Sequence, residues 1–93
     1  MKAIWNSVII AESSKVVKLE GYYYFPKSDV QMKFIRNSGN ISTCYWKGNA
    51  HYFDIIVEGK EICDAAWYYP YPSDAAKAIR EHIAFDAPII ITD

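Results

Sequence analysis

A chain of 93 residues, 52% hydrophobic and 23% charged, has the composition of one folded domain over residues 1–93 rather than of a disordered segment. Its net charge of −1 comes from ten basic and eleven acidic residues that are interspersed, which leaves no electrostatic footprint for nucleic acid or an anionic membrane. No apolar run approaches the ~20 residues of a membrane span.

Met1-Lys2-Ala3-Ile4-Trp5-Asn6 meets polar residues too soon for a signal peptide. A cytoplasmic setting is therefore expected, with Cys44 and Cys63 as free thiols. Ile4-Trp5 and Val8-Ile9-Ile10 flank Asn6-Ser7, which reads as a tight hairpin because Asn tolerates the left-handed conformation. Val16 to Glu20 is the next strand, punctuated by Gly21. Tyr22-Tyr23-Tyr24-Phe25 is strongly strand-prone and stops at Pro26, which opens one helical turn through Val30. Met32 to Arg36 resumes alternation, and Asn37-Ser38-Gly39-Asn40 reads as a loop.

His51 to Glu58 is the clearest strand, turning near Gly59 into a return strand from Glu61 to Tyr69. Pro70 and Pro72 end it. Ser73 caps an expected short helix from Asp74 to about Ile83, with Ala76, Ile79 and Ile83 on one stripe. Ala84-Phe85 and Ile89 to Thr92 close the chain as strands. Many short strands with frequent turns predict a mainly β fold of antiparallel sheets, a sandwich or open barrel with one accessory helix.

Chemistry-bearing groups concentrate in Cys44-Tyr45-Trp46-Lys47-Gly48-Asn49-Ala50-His51-Tyr52 and in Ala65-Ala66-Trp67-Tyr68-Tyr69-Pro70-Tyr71-Pro72. A four-residue loop at Lys47 to Ala50 predicts Trp46 opposite His51, Tyr45 opposite Tyr52 and Cys44 opposite Phe53. One face then holds Cys44, Trp46, His51, Phe53, Ile55, Val57, Ile62, Asp64, Ala66 and Tyr68 and should be core. The other holds Tyr45, Tyr52, Asp54, Ile56, Cys63, Ala65, Trp67 and Tyr69 and suits a ligand or partner. On opposite faces, Cys44 and Cys63 form no disulfide and share no metal.

Cys44 reads two ways: a nucleophile activated by His51 or Lys47, or a small buried hydrophobe. Lys47 is an anion or carbonyl partner, or a solvated turn lysine. Trp67 and Tyr69 are a ligand wall, or a core or dimer contact. Asp54 among rings orients a hydroxyl or points to water, and His82 is expected on a helix in solvent. The sequence contains no glycine-rich phosphate loop, no paired zinc knuckles, no His-Glu-x-x-His and no Gly-x-Ser-x-Gly.

Glu20-Gly21-Tyr22-Tyr23-Tyr24-Phe25-Pro26, Thr43 to Tyr52, Asp64 to Pro72 and Ile83-Ala84-Phe85, in that order, resemble the small bacterial family of unknown function DUF427. The resemblance implies a β-tent: two antiparallel sheets joined at one end and splayed at the other, a fold shared with the thalidomide-binding domain of cereblon. Some relatives of that fold hold a structural zinc through paired Cys-x-x-Cys motifs that this chain lacks, so no metal is expected. Tyr24, Cys44, Lys47, Tyr52, Trp67 and Tyr69 match the family's signature. Tyr22, Tyr45 and Asp86-Ala87-Pro88 depart from it, replacing a common Asn, a common Pro and a usual aromatic-Lys-Gly. The family also carries a nucleotidyltransferase-type label, but the Gly-Ser and paired Asp-x-Asp that hold two metals in such chemistry are missing here.

The expectation is a small-molecule or modified-side-chain binding module without a cofactor, with Tyr24, Lys47, Tyr52, Trp67 and Tyr69 around an aromatic cleft. The rivals are a small enzyme built on Cys44 or Lys47, and a homodimeric adaptor that buries its surplus rings.

Overall fold

A computed structural model describes residues 1–93. Asn6 and Ser7 both take positive φ, 52° and 62°, so the turn between β1 (Lys2–Trp5) and β2 (Val8–Glu12) follows the right-handed twist of its strands. Glu20 and Gly21 do the same between β3 (Val17–Leu19) and β4 (Tyr22–Pro26). Then come β5 (Ile35–Cys44), β6 (Gly48–Val57), β7 (Lys60–Tyr68), β8 (His82–Phe85) and β9 (Ile90–Thr92). They form two antiparallel sheets, ordered β2-β1-β9 and β3-β4-β8-β7-β6-β5. Mainly β architecture with two antiparallel sheets is therefore what the sequence predicts.

Successive side chains of a strand point to opposite faces, and the larger sheet buries both of its faces. Towards the smaller sheet go Phe25, Phe53, Ile55, Val57, Ala66, Ile83 and Phe85, which meet Ala3, Ile10 and Ala11 in the main core. On the other face Tyr24, Ala50, Trp67 and Ala84 form a second cluster with Tyr69, Ala76 and Ile79. Phe25 and Tyr24 are neighbours in β4, yet each anchors a different cluster. Burying such a side chain contributes about 1.5–3 kcal/mol, so both faces matter to stability.

Four local expectations change. Met32–Phe34 forms a 3₁₀ turn instead of resuming a strand, and β5 starts only at Ile35. The segment Asn37-Ser38-Gly39-Asn40 is not a loop but part of β5, an edge strand whose register slips between Asn37 and Ile41. The helix from Asp74 shortens to 3₁₀ turns at Asp74–Ile79, kinked at Ala76, and His82 lies in β8 instead. Most consequential is the turn between β5 and β6. It consists of Tyr45-Trp46-Lys47, with Cys44 paired to Gly48 and Ile41 to His51. Cys44 therefore shares a face with Ala50 and Tyr52, opposite to His51. Both Cys44 and Trp46 pack on the second cluster, not in the main core. Phe53, Ile55, Val57, Ala66 and Tyr68 do pack in or against the main core, as expected.

Opposite Asp54, β7 bulges: Ile55 pairs Ile62, but Phe53 pairs Ala66. The register slips by two, so odd still faces even and Trp67 stays with Tyr52. The irregular stretch turns Ala65 into the main core. Asp54 stabilises this stretch: it accepts the Asp64 amide at 2.9 Å and the Arg36 guanidinium at 2.9 Å. The Arg36 guanidinium, then the Asp64 N–H, hold its carboxyl below the usual carboxylate range. With the folded value depressed, this stabilisation is complete above about pH 4, the unfolded pKa, and is lost as pH falls through the folded value. Asp54→Asn should lower Tm at neutral pH and flatten the acid limb of a Tm–pH profile. An acid limb as steep as that of the unmodified chain would contradict this role.

Candidate functional site

The second cluster does not close completely. Between β3–β4, the β5–β6 turn, β7 and the start of the β8–β9 connection lies a cleft of about 360 Å³. Tyr24, Lys47, Tyr52, Trp67 and Tyr69, the residues singled out from sequence, all line it, together with Glu20, Tyr22 and Asp86. Small-molecule sites typically occupy about 300–1,000 Å³ and combine aromatic walls with a few polar groups.

Trp67 is the wall. The edge of Tyr22 meets it at 4.8 Å and 84°, and Tyr52 tilts across it at 6.2 Å. Its indole Nε1–H donates to the Tyr24 hydroxyl at 3.2 Å. The Tyr52 hydroxyl, in turn, is 3.0 Å from Ser42 Oγ. Trp67 is 8% exposed and Tyr24 2%.

Lys47 is the unusual group, because only 8% of it is exposed. Lysine is almost never buried without a partner. Its ammonium pairs with the Glu20 carboxylate and lies 4.9 Å from the Trp46 ring and 5.7 Å from the Tyr69 ring. Burial works against its charge, but Glu20 and then the Cys44 sulfur outweigh this and raise its pKa. The backbone holds Lys47 in place. Its carbonyl accepts the Ser73 amide at 3.0 Å. The next residue, Gly48, has φ +118° and approaches the Tyr71 carbonyl so closely that a Cβ would sit 3.1 Å from it. Only glycine suits that position without strain.

Tyr69 is 6% exposed, and no hydrogen bond to its hydroxyl sets its acidity. Burial, offset in part by the Lys47 charge, pushes its pKa up to about 12. Burial likewise raises that of Tyr24. At neutral pH the floor of the cleft therefore offers donors: two phenol O–H groups and an ammonium. Glu20 and Asp86 are acceptors nearer solvent.

Cys44 is half-buried behind Lys47 and does not line the cleft. The amides of Trp46 and Lys47, opposed by burial and helped by the Lys47 ammonium, lower its thiol pKa. His51, on the other face, stands edge-on to Tyr68 at 5.9 Å and cannot serve Cys44 as a base. Cys63 is an exposed free thiol whose pKa Asp54 pushes up. Asp54, Glu61 and Cys63 bring ligand atoms within 4.8 Å of one another, yet the Arg36 guanidinium already bridges the two carboxylates.

Glu20, Tyr22 and Asp86 are absent from the ligand set read from sequence. The Glu20-Gly21 turn was visible, but its reach to Lys47 depends on β4 lying between β3 and β8. A family profile described as a domain of unknown function (DUF427) matches residues 1–90. No curated protein matches the chain.

Proposed function

The chain belongs to the DUF427 family, whose description gives no activity, and we propose that it is a binding module for a small molecule held in the aromatic cleft. The observation that carries this reading is a buried lysine among rings beside an open hollow. A core that needed only filling would gain nothing from the Lys47 charge, whose desolvation is costly unless compensated. Trp67, flanked by Tyr22 and Tyr52, supplies aromatic wall area. The two phenols and Lys47 supply orientation.

A thermal-shift screen of small metabolites tests it. Hits should raise Tm, and Tyr69→Phe, which removes a donor without removing a ring, should weaken them. A screen without a single stabilising compound would count against the cleft.

One observation favours a second reading, a small enzyme with Cys44 as nucleophile. This is a thiol whose pKa the Trp46 and Lys47 amides and the neighbouring Lys47 ammonium lower. In a Cys63→Ser background, the pH midpoint for alkylation of Cys44 should fall below the ~8.5 of a free cysteine. Lys47→Met should raise it. A midpoint at or above that of a free cysteine would end the nucleophile reading and leave the binding module untouched.

A further inference from the structure

The two members of the Lys47–Glu20 pair are not equivalent. The Lys47 side chain is 10% exposed and the Glu20 side chain 50%. Lys47 is clamped by the turn, by Ser73 and by two rings. Glu20 stands on the β3–β4 turn with φ 53° and reaches Lys47 from the solvent side. The cation is fixed, whereas its counterion can rotate into water and recover its hydration. Beside them lies Tyr69, more than nine-tenths buried, lining the cleft with a hydroxyl that no protein hydrogen bond anchors. The Tyr24 hydroxyl accepts from Trp67, which leaves its own hydrogen to give.

These groups define the chemistry of a guest, provided that the cleft is a ligand site in the first place. We propose that the cleft takes a small carboxylate, which exchanges with Glu20 on the Lys47 ammonium and accepts the hydroxyl hydrogens of Tyr69 and Tyr24. Glu20 in the unliganded protein is then an internal stand-in for the ligand's own carboxylate. The remainder of the guest lies along Trp67 between Tyr22 and Tyr52. Exchange replaces one carboxylate with another, so the buried lysine never loses its partner. Glu20, once released, and Asp86 leave the mouth negative. A monoanion is accepted there, and one whose far end is neutral or cationic is favoured over a dianion such as phosphate.

Benzoate, benzamide and benzyltrimethylammonium serve as probes. They share a ring and differ in the charge of the head group. Each is titrated into the unmodified protein, Glu20→Gln and Glu20→Asp, with the Trp67 indole resonance as readout and a thermal melt to confirm folding. Glu20→Asp keeps the charge and shortens its reach. Benzoate should shift the Trp67 signal and bind both variants about three- to tenfold more tightly, since a competing internal ion pair is weakened. Benzamide should bind weakly and respond little to either substitution. Benzoate affinity that is unchanged or reduced in both variants would overturn the exchange. Preferential binding of benzyltrimethylammonium at Trp67 would overturn the carboxylate class while preserving the cleft. No response of Trp67 to any probe would overturn both.

Discussion

Trp67→Ala should destabilise the protein by about 3–5 kcal/mol, the usual cost of truncating a buried large aromatic. A chain of this size typically has about 5–15 kcal/mol in total, so the loss would be a large part of the whole. At roughly 4–8 °C per kcal/mol, Tm should drop by well over 10 °C. The reason lies in the position of the residue. Trp67 pairs with Tyr52 across β6 and with Ala84 across β8, so its ring spans the centre of the larger sheet on the cleft face. Its removal also leaves the Tyr24 hydroxyl without its donor. Trp67→Phe separates the two effects. It keeps a ring and loses the N–H, and should cost about 1 kcal/mol for the hydrogen bond, plus a smaller packing loss. Denaturant titration measures both. If Trp67→Ala costs under about 1 kcal/mol, the ring is not part of the second cluster's packing.

The second large effect concerns Lys47 and Glu20, and it is asymmetric. Glu20→Gln leaves an ammonium buried with a weaker, neutral acceptor. Such a poorly compensated charge should cost about 1–3 kcal/mol. Lys47→Met removes the buried charge and keeps an apolar stem between Trp46 and Tyr69, while the half-exposed Glu20 simply turns to solvent. That change should be close to neutral, or stabilising, as replacement of buried ion pairs by apolar groups often is. The pH dependence comes from the raised pKa of Lys47. A raised folded value means that its contribution is fully present below the unfolded pKa of about 10.4 and is lost as pH rises beyond it towards the folded value. Part of the alkaline fall in Tm should therefore disappear in Lys47→Met. If Lys47→Met proved far more damaging than Glu20→Gln at neutral pH, Lys47 would be a structural keystone rather than a buried charge that an apolar side chain can replace.

Elements are legible in the sequence where the forces that make them are local. The Tyr22 to Phe25 run, the strand before Gly59 and the Asn6-Ser7 turn announce themselves through β propensity and backbone conformation. Both depend on neighbouring residues alone. The aromatic set around Trp67 was also legible, because the alternation of β6 and β7 survives a slip of two residues. The start of β6 was not. Its turn uses Tyr45-Trp46-Lys47, with Gly48 already in the strand, so Cys44 pairs with Gly48 instead of Phe53; that shift of five positions is odd and puts Cys44 on the other face, while Trp46 in the turn packs on the second cluster. Asn37 to Asn40 has the composition of a loop, but an edge strand exposed to solvent needs no apolar alternation, so its polarity misleads. The Ala76, Ile79 and Ile83 stripe fits a helix equally well as it fits 3₁₀ turns followed by a strand. The actual solution divides it, with Ala76 and Ile79 in one cluster and Ile83 in the other. Glu20 and Asp86 reach the cleft only because β8 inserts between β4 and β7. That non-local pairing has no signature in either segment.

The function proposed for the chain stands or falls with the hollow beside Trp67 receiving a ligand. The three tryptophans make a direct test possible, since Trp5 packs against the main core, Trp46 lies on the cation behind the cleft, and Trp67 forms its wall. Their indole N–H resonances should be followed while pooled small metabolites are added. An active pool should move the Trp67 resonance most, Trp46 less and Trp5 hardly at all, and Tyr69→Phe should weaken the response. Pools that leave Trp67 unmoved, or that act on Trp5 instead, would contradict a ligand in the cleft.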